Sequence, residues 1–444
     1  MKTKEIRRGD IILTENPFVY CLQNKYKKVR CDLCLQLNDV KICTGCNYVS
    51  YCNKICQKNA WKQHKNECNY LKKVHPNIVP DAARILSRVI LKLRNGGDME
   101  KSYYTETSFR KFRDLMSHYA ELKTDPKRLE HLETLHHVLF DLLGGAGGIV
   151  PNKTELLGIY GRLITNGFNI LDAEMNTIGT GIYLGVSVTD HSCSPNAVAT
   201  FDGITLNVRA TEDLESLDWS KIFISYIDLL NPTETRRKEL QDNYYFECMC
   251  SKCTSKQFSD NMEGAVCPNK NCTAAVNVKY NNCKKCNAGV TPKLRNTYIE
   301  AMEFTKSQLT EMRDVAYLDV LKLCLKKQAN TFHPHNIWRL KTLENAFESA
   351  IDINQWDDAI GFGRSLLPGY QKYHGKWNPV LGIFYLKLGK LELFKENLKE
   401  ALDSFEKAKE ILQVTHGKEH TIFHSELSPM LYQTRSEINA KLYS

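Results

Sequence analysis

Apolar and polar positions change rhythm several times along this 444-residue chain. Over residues 6–20, apolar positions are broken by turn formers (Arg8-Gly9-Asp10 and Asn16-Pro17), which predicts two short strands. In Asp81–Arg94, Ile85, Leu86, Val89, Ile90 and Leu93 recur at helical spacing, and Asn95-Gly96-Gly97 ends the run. Helical rhythm is also expected over residues 109–122 and 129–143. Gly144-Gly145-Ala146-Gly147-Gly148 lacks the Gly-Lys-Ser/Thr of a phosphate loop and reads as a flexible connection. Residues 158–166 read as helix, and 182–184, 197–201, 204–208 and 222–226 as short strands. From residue 296 to the end the pattern is helical throughout, and 381–412 suggests antiparallel helix pairs.

A chain of this length exceeds one ordinary core and implies two to four domains. Its 42% hydrophobic and 25% charged residues match a soluble globular class. The first eight residues are charged and no short apolar core follows, so no secretory signal is expected. The apolar stretches are too short and interrupted to cross a bilayer, so no membrane partner is expected. Seventeen cysteines in such a chain point to metal in a reducing compartment rather than to disulfides.

The spacing of those cysteines is specific. Cys31-x2-Cys34, Cys43-x2-Cys46, Cys52-x3-Cys56 and His64-x3-Cys68 supply eight ligands in four pairs, enough for two tetrahedral zinc sites. The intervening residues are too polar to fold by burial alone, so the metal must supply folding free energy. Cys248, Cys250 and Cys253 form a second cluster that needs a fourth ligand, and Cys193, in His191-Ser192-Cys193-Ser194-Pro195-Asn196, is the candidate. Cys267, Cys272, Cys283 and Cys286 suit a further zinc. Cys21 and Cys324 stand apart and are expected to be buried small hydrophobes. Zinc thiolates also lower the formal net charge of +9. Three zinc ions bring it to about +4 and four to about +2, so global basicity does not imply nucleic acid. Lys54, Lys58, Lys62, Lys65, Lys72 and Lys73 crowd the end of the first cluster, either as a solvated helix face or as a weak contact for nucleic acid or an acidic partner.

The first cluster resembles a MYND finger. That resemblance implies interleaved ligand sets, with Cys31, Cys34, Cys52 and Cys56 on one zinc and Cys43, Cys46, His64 and Cys68 on the other. It also implies binding of proline-rich peptides. Asp190-His191-Ser192-Cys193-Ser194-Pro195-Asn196, then Ile224-Ser225-Tyr226-Ile227-Asp228 and the Cys-x-Cys-x2-Cys run, resemble a SET domain with its post-SET zinc. The order of parts resembles the SMYD family of SET and MYND protein-lysine methyltransferases across nearly the whole chain, including Leu386-Lys387-Leu388-Gly389-Lys390-Leu391.

The fold so implied is α+β: a β-rich SET core with an inserted MYND finger, a helical insert, a post-SET zinc region and a C-terminal helical-hairpin (TPR-like) domain. In residue terms, 1–30 hold the first SET strands, 31–68 the finger, 69–157 the helical insert and 158–246 the catalytic core. Residues 247–290 hold the post-SET and extra zinc region and 296–444 the TPR-like domain, in which 378–414 has the length of one hairpin.

The family activity is transfer of a methyl group from S-adenosylmethionine to lysine in histone or other proteins, in nucleus and cytoplasm. Tyr226 matches the catalytic tyrosine, and Phe168 joins it in the lysine channel. His118, Asn166, Asp190, His191, Tyr244 and Phe246 match cofactor-binding positions. Aromatic walls suit the chemistry because they desolvate the ammonium, favour the neutral amine and offer π faces to the cation. Asp190 stands where the family carries Asn, and 215–221 replace its Gly-Glu-Glu turn. Residues 5–10 match the strand beyond the family's Gly-x-Gly loop, which implies weakened cofactor binding and, as the competing reading, a silent adaptor.

Overall fold

A computed structural model describes residues 5–145, 148–312 and 317–443. Ala146 and Gly147 of the expected flexible connection lie outside the described residues. The chain divides into two compact units that share it discontinuously. The first comprises Met1–Asp190, Ala197–Ile222 and Asp242–Tyr245, and the second His191–Asn196, Phe223–Gln241 and Phe246–Ser444.

The first unit runs β1 (Ile11–Glu15), β2 (Val19–Leu22), β3 (Lys41–Ile42), β4 (Ser50–Tyr51), α1 (Lys54–Val74), α2 (Asp81–Arg94), β5 (Ser102–Tyr103), β6 (Phe109–Arg110), α3 (Tyr119–Leu122), α4 (Pro126–Leu142), α5 (Lys153–Asn166), β7 (Gly167–Leu171) and β8 (Thr177–Ile182). β9 (Asp190–His191) follows, then β10 (Ala197–Asp202) and β11 (Thr205–Ala210). Two antiparallel three-stranded sheets result, ordered β1-β11-β10 and β2-β8-β7. β2 is buried along its length because α2 packs against it. α2 is buried from Ala83 to Leu91, arginines included. β1 ends in the buried Glu15, whose carboxylate accepts from the Gly185 and Val186 amides (3.0 and 2.8 Å) and the Ser102 hydroxyl. A buried charge is tolerated there because three donors satisfy it.

Of the helix expected over 109–122 only the last turn, α3, forms. Phe109 pairs with Tyr103 and Arg110 with Ser102. Asp114 then accepts from the Lys111 amide at 2.8 Å and closes a single 3₁₀ turn. Local capping outcompetes propagation when the apolar residues of the segment, here Phe112 and Leu115, can be buried without a helix. The loop that follows presses on α5: a Cβ at Gly161 would lie 2.2 Å from the Ser117 carbonyl, so only glycine fits.

In the second unit β12 (Phe223–Ile224), α6 (Thr233–Tyr244), α7 (Ser251–Thr254) and α8 (Lys256–Met262) precede a helical run. The run comprises α9 (Pro292–Glu311), α10 (Leu318–Gln328), α11 (Ile337–Asp352), α12 (Trp356–His374), α13 (Pro379–Phe394), α14 (Leu398–Thr415) and α15 (Ser428–Tyr443). It begins four residues before the expected 296 because Thr291 caps α9, accepting from the Leu294 amide, with Pro292 in the first turn. α13 and α14 pair across the short connection 395–397, as the 378–414 pattern predicts, and α11 pairs with α12. Gly389 lets the first pair close, since a Cβ there would meet the Phe405 ring at 2.7 Å. Among the described residues no helix is long and apolar enough to cross a membrane.

Candidate active site and zinc centres

The sixteen ligand candidates form four groups of four. They are Cys31/Cys34/Cys52/Cys56, Cys43/Cys46/His64/Cys68, Cys193/Cys248/Cys250/Cys253 and Cys267/Cys272/Cys283/Cys286, each with its ligand atoms within 4.8 Å of one another. A tetrahedron with 2.3 Å zinc–sulfur bonds has edges of roughly 3.8 Å. The sulfur pairs fit: Cys34–Cys52 at 3.9 Å, Cys52–Cys56 at 3.4 Å, Cys193–Cys253 at 3.5 Å, Cys267–Cys286 at 3.4 Å and Cys272–Cys283 at 4.0 Å. The donor set and its spacing therefore suit zinc in all four groups. Cys21 and Cys324 are buried outside them.

Local structure aims the finger ligands. Asn53 caps α1 by accepting from the Cys56 amide at 2.8 Å, which places that thiol at the helix start. His64 and Cys68, four residues apart, share one face of α1. Cys43 and Cys46 sit on a tight turn in which Asn47 takes a left-handed φ of 53° and donates to the Cys43 carbonyl.

Behind the finger lies an ion network invisible to spacing rules. Glu67 accepts from His64 Nδ1 at 3.1 Å, which leaves Nε2, 3.6 Å from Cys46 Sγ, as the metal-facing nitrogen. Arg84 grips Asp32 with both terminal nitrogens (2.9 and 3.0 Å) and also reaches Glu67 at 2.9 Å. Arg88 bonds Glu67, Asp32 and the Tyr20 carbonyl. All four charged side chains are at most 4% exposed. Burial opposes ionisation of Asp32 and Glu67, but Arg84 and Arg88 outweigh it and hold both carboxyls below their usual range.

The second cysteine cluster organises the predicted catalytic residues of its unit. His191 is 9% exposed. Its ring centroid lies 5.3 Å from that of Tyr226 and 6.1 Å from that of Phe246. Its Nδ1 accepts from the Tyr226 amide at 3.1 Å, and Nε2 lies 3.3 Å from Cys193 Sγ. Burial pushes the imidazole down to about 4, so it is neutral at physiological pH. The Ser192 amide donates to the Ile224 carbonyl at 3.0 Å and Asn196 Oδ1 accepts from the Phe223 amide, which holds this segment against β12. Arg236, which the sequence reading missed, is 1% exposed and points a guanidinium nitrogen at Cys253 Sγ, 3.7 Å away. A buried cation there offsets the charge of a zinc tetrathiolate.

In the first unit Asn166 ends α5 and donates to the Met116 and Arg162 carbonyls at 2.8 and 2.9 Å. Its amide hydrogens are spent, leaving the acceptor Oδ1 for a ligand donor. Two residues after Met116, His118 takes a left-handed φ of 45° and meets the ring of Tyr245, centroids 5.1 Å apart. Tyr245, which the sequence reading did not single out, also donates to Asp125 at 3.1 Å. Tyr244 is half-buried at the end of α6 and Asp190 is exposed at the start of β9. Phe168, on β7, packs edge-on to Tyr183 at 5.7 Å.

Residues 19–68 match the MYND finger family. The chain is 30% identical over 427 residues to histone-lysine N-methyltransferase SMYD3 of Homo sapiens, covering 94% of this chain and 90% of that protein. It is 29% identical to histone-lysine N-methyltransferase ASHR1 of Arabidopsis thaliana, covering 99% and 93%. To N-lysine methyltransferase SMYD2 of Homo sapiens it is 26% identical, covering 93% and 90%.

Proposed function

This chain belongs to the SMYD family, and from that premise we propose that it is an S-adenosylmethionine-dependent protein-lysine N-methyltransferase with a SET core and a TPR-like C-terminal domain. The observation that carries the reading beyond family membership is the cluster of His191, Tyr226 and Phe246 on one four-cysteine centre. S-adenosylmethionine supplies an electrophilic methyl group on a sulfonium. His118, Asn166, Asp190, His191, Tyr244 and Phe246 are proposed to bind it, with Phe168 and Tyr226 lining the lysine channel.

The residues suit those tasks chemically. Asn166 Oδ1, an acceptor, matches an ammonium donor. Both nitrogens of His191 are engaged, so its contribution is ring surface rather than a hydrogen bond. Lysine must arrive as the free amine, and aromatic walls favour that form by excluding water. The amine nitrogen then attacks in line, the carbon–sulfur bond breaks as the carbon–nitrogen bond forms, and the product amine sheds its proton to solvent.

The test is calorimetric titration with S-adenosylmethionine, followed by methyl transfer to histone and cytosolic protein mixtures. Tyr226→Phe is expected to lower kcat by about 100-fold, the usual cost of one aimed hydroxyl, with zinc content unchanged. Absence of binding at millimolar cofactor would exclude the activity.

The finger supplies a second, non-catalytic role in protein interaction. Ile55 and Trp61 are 71% and 50% exposed on α1, and each leaves apolar surface on which a proline-rich peptide could pack. Lys54, Lys58, Lys62, Lys65, Lys72 and Lys73 are also exposed on α1 and would favour an acidic flank on that partner.

A further inference from the structure

Tyr226 needs a fixed backbone if its hydroxyl is to meet a reacting methyl group within a few tenths of an ångström. It lies just beyond β12, a strand of only two residues, so the sheet alone holds it weakly. The imidazole of His191 takes up its amide. The Tyr226 amide can only donate, so Nδ1, 3.1 Å away, accepts and carries no proton. In a neutral ring the proton then sits on Nε2, facing Cys193 Sγ at 3.3 Å. A zinc-bound thiolate is an acceptor with no proton to give. The two contacts therefore specify a single tautomer, which a thiolate at Cys193 reinforces.

We infer that His191 is a positioning residue that couples zinc occupancy of the Cys193, Cys248, Cys250 and Cys253 centre to the backbone position of Tyr226. Zinc holds Cys193 as a thiolate, the thiolate fixes the ring through Nε2–H, and the ring fixes Tyr226 through Nδ1. Without the metal the Cys193 side chain loses its anchor, and the ring loses the fixed partner on Nε2 that holds it in place. The centre would then be more than a structural staple: its loading would decide whether the tyrosine is aligned. The catalytic consequence rests on the methyltransferase reading above, whereas the coupling itself does not.

Hydrogen exchange at the Tyr226 amide, read by NMR on the full chain with zinc content measured in parallel, tests this directly. His191→Leu is expected to raise that exchange rate by on the order of 10- to 100-fold, the cost of one buried hydrogen bond. His191→Gln, whose amide carries an acceptor and a donor in one plane, should restore most of the protection. Cys248→Ser, which strips the centre without touching either hydrogen-bond partner, should reproduce the Leu phenotype, while Cys272→Ser, in a separate four-cysteine group, should not. For methyl transfer, His191→Leu should lower kcat more than it raises the KM for S-adenosylmethionine.

Unchanged protection of Tyr226 in zinc-depleted Cys248→Ser protein would overturn the inference even if His191→Leu proved unable to fold. Failure of Gln to restore what Leu removes would overturn it as well. If Tyr226 follows zinc as described but no substrate is methylated, the coupling stands and the enzymatic reading falls.

Discussion

Removing zinc with a chelator is expected to unfold residues 31–68 and to loosen α2, while α13 and α14 keep their protection. The finger is held by eight ligands and little regular structure of its own: β3 and β4 are two residues each, and only a few side chains between the ligands, Leu35, Tyr48, Val49 and Tyr51 among them, are buried apolar groups. A structural zinc contributes roughly 10–16 kcal/mol of apparent binding free energy at neutral pH, which here is folding free energy. No packing term inside so short a segment can replace it. The loss should spread to α2 because Arg84 and Arg88 anchor to Asp32, beside the ligand Cys31, and to Glu67, beside the ligand Cys68. It should stop short of α13 and α14, whose core of Leu381, Phe384, Leu388, Phe405 and Leu412 contains no metal ligand. Hydrogen–deuterium exchange by segment, with chelator and with zinc restored, would show this. Retained protection in α1 after complete zinc removal would refute it. Acidification should act in the same direction, since protons compete with zinc for every thiolate, so zinc release increases as pH falls.

Replacing Arg84 by Met is the second large effect expected. The guanidinium is 2% exposed and satisfies two carboxylates at once. Its removal leaves Asp32 and Glu67 sharing Arg88 alone, an uncompensated negative charge in the interior. Breaking a buried ion pair from one side typically costs about 3–5 kcal/mol, a large fraction of the stability of any domain. Arg84→Lys should recover only part of this, because an ammonium cannot reproduce the two-pronged grip on Asp32. Glu67 adds a metal-dependent signature. As the acceptor that orients His64, its change to Gln should weaken finger zinc affinity by about 10- to 100-fold. Urea unfolding followed by exchange in α1 and α2, together with competitive zinc titration, separates the two effects. A loss in Arg84→Met below 1 kcal/mol would show that the network is solvated rather than structural.

Much of the metal chemistry was legible from the chain alone. Ligand pairs sit two to five residues apart, and a tetrahedral ion tolerates few ways of collecting them, so spacing carries the information. Even the distant Cys193 was recoverable, because three close thiolates demand a fourth. The extents of α2 and of the α13–α14 hairpin were also readable, since long apolar periodicity and a short connection leave little choice. Residues 109–122 misled for the opposite reason. Their apolar positions fit a helix, but Asp114 and the pairing of Phe109 with Tyr103 offered competing local bonds that periodicity does not weigh.

By itself the sequence determined which thiols and imidazole can gather around a metal, which segments are long helices, and which family the chain resembles. Tertiary structure alone decided that Arg84 and Arg88 clamp Asp32 and Glu67, that Tyr245 meets His118, and that His191 stands between a cysteine and the Tyr226 amide. The physical reason is range. Metal spacing and helical rhythm are properties of residues a few positions apart. A buried ion network, or an imidazole with both nitrogens in use, joins groups tens of residues apart, and their partners exist only once the chain has closed around them.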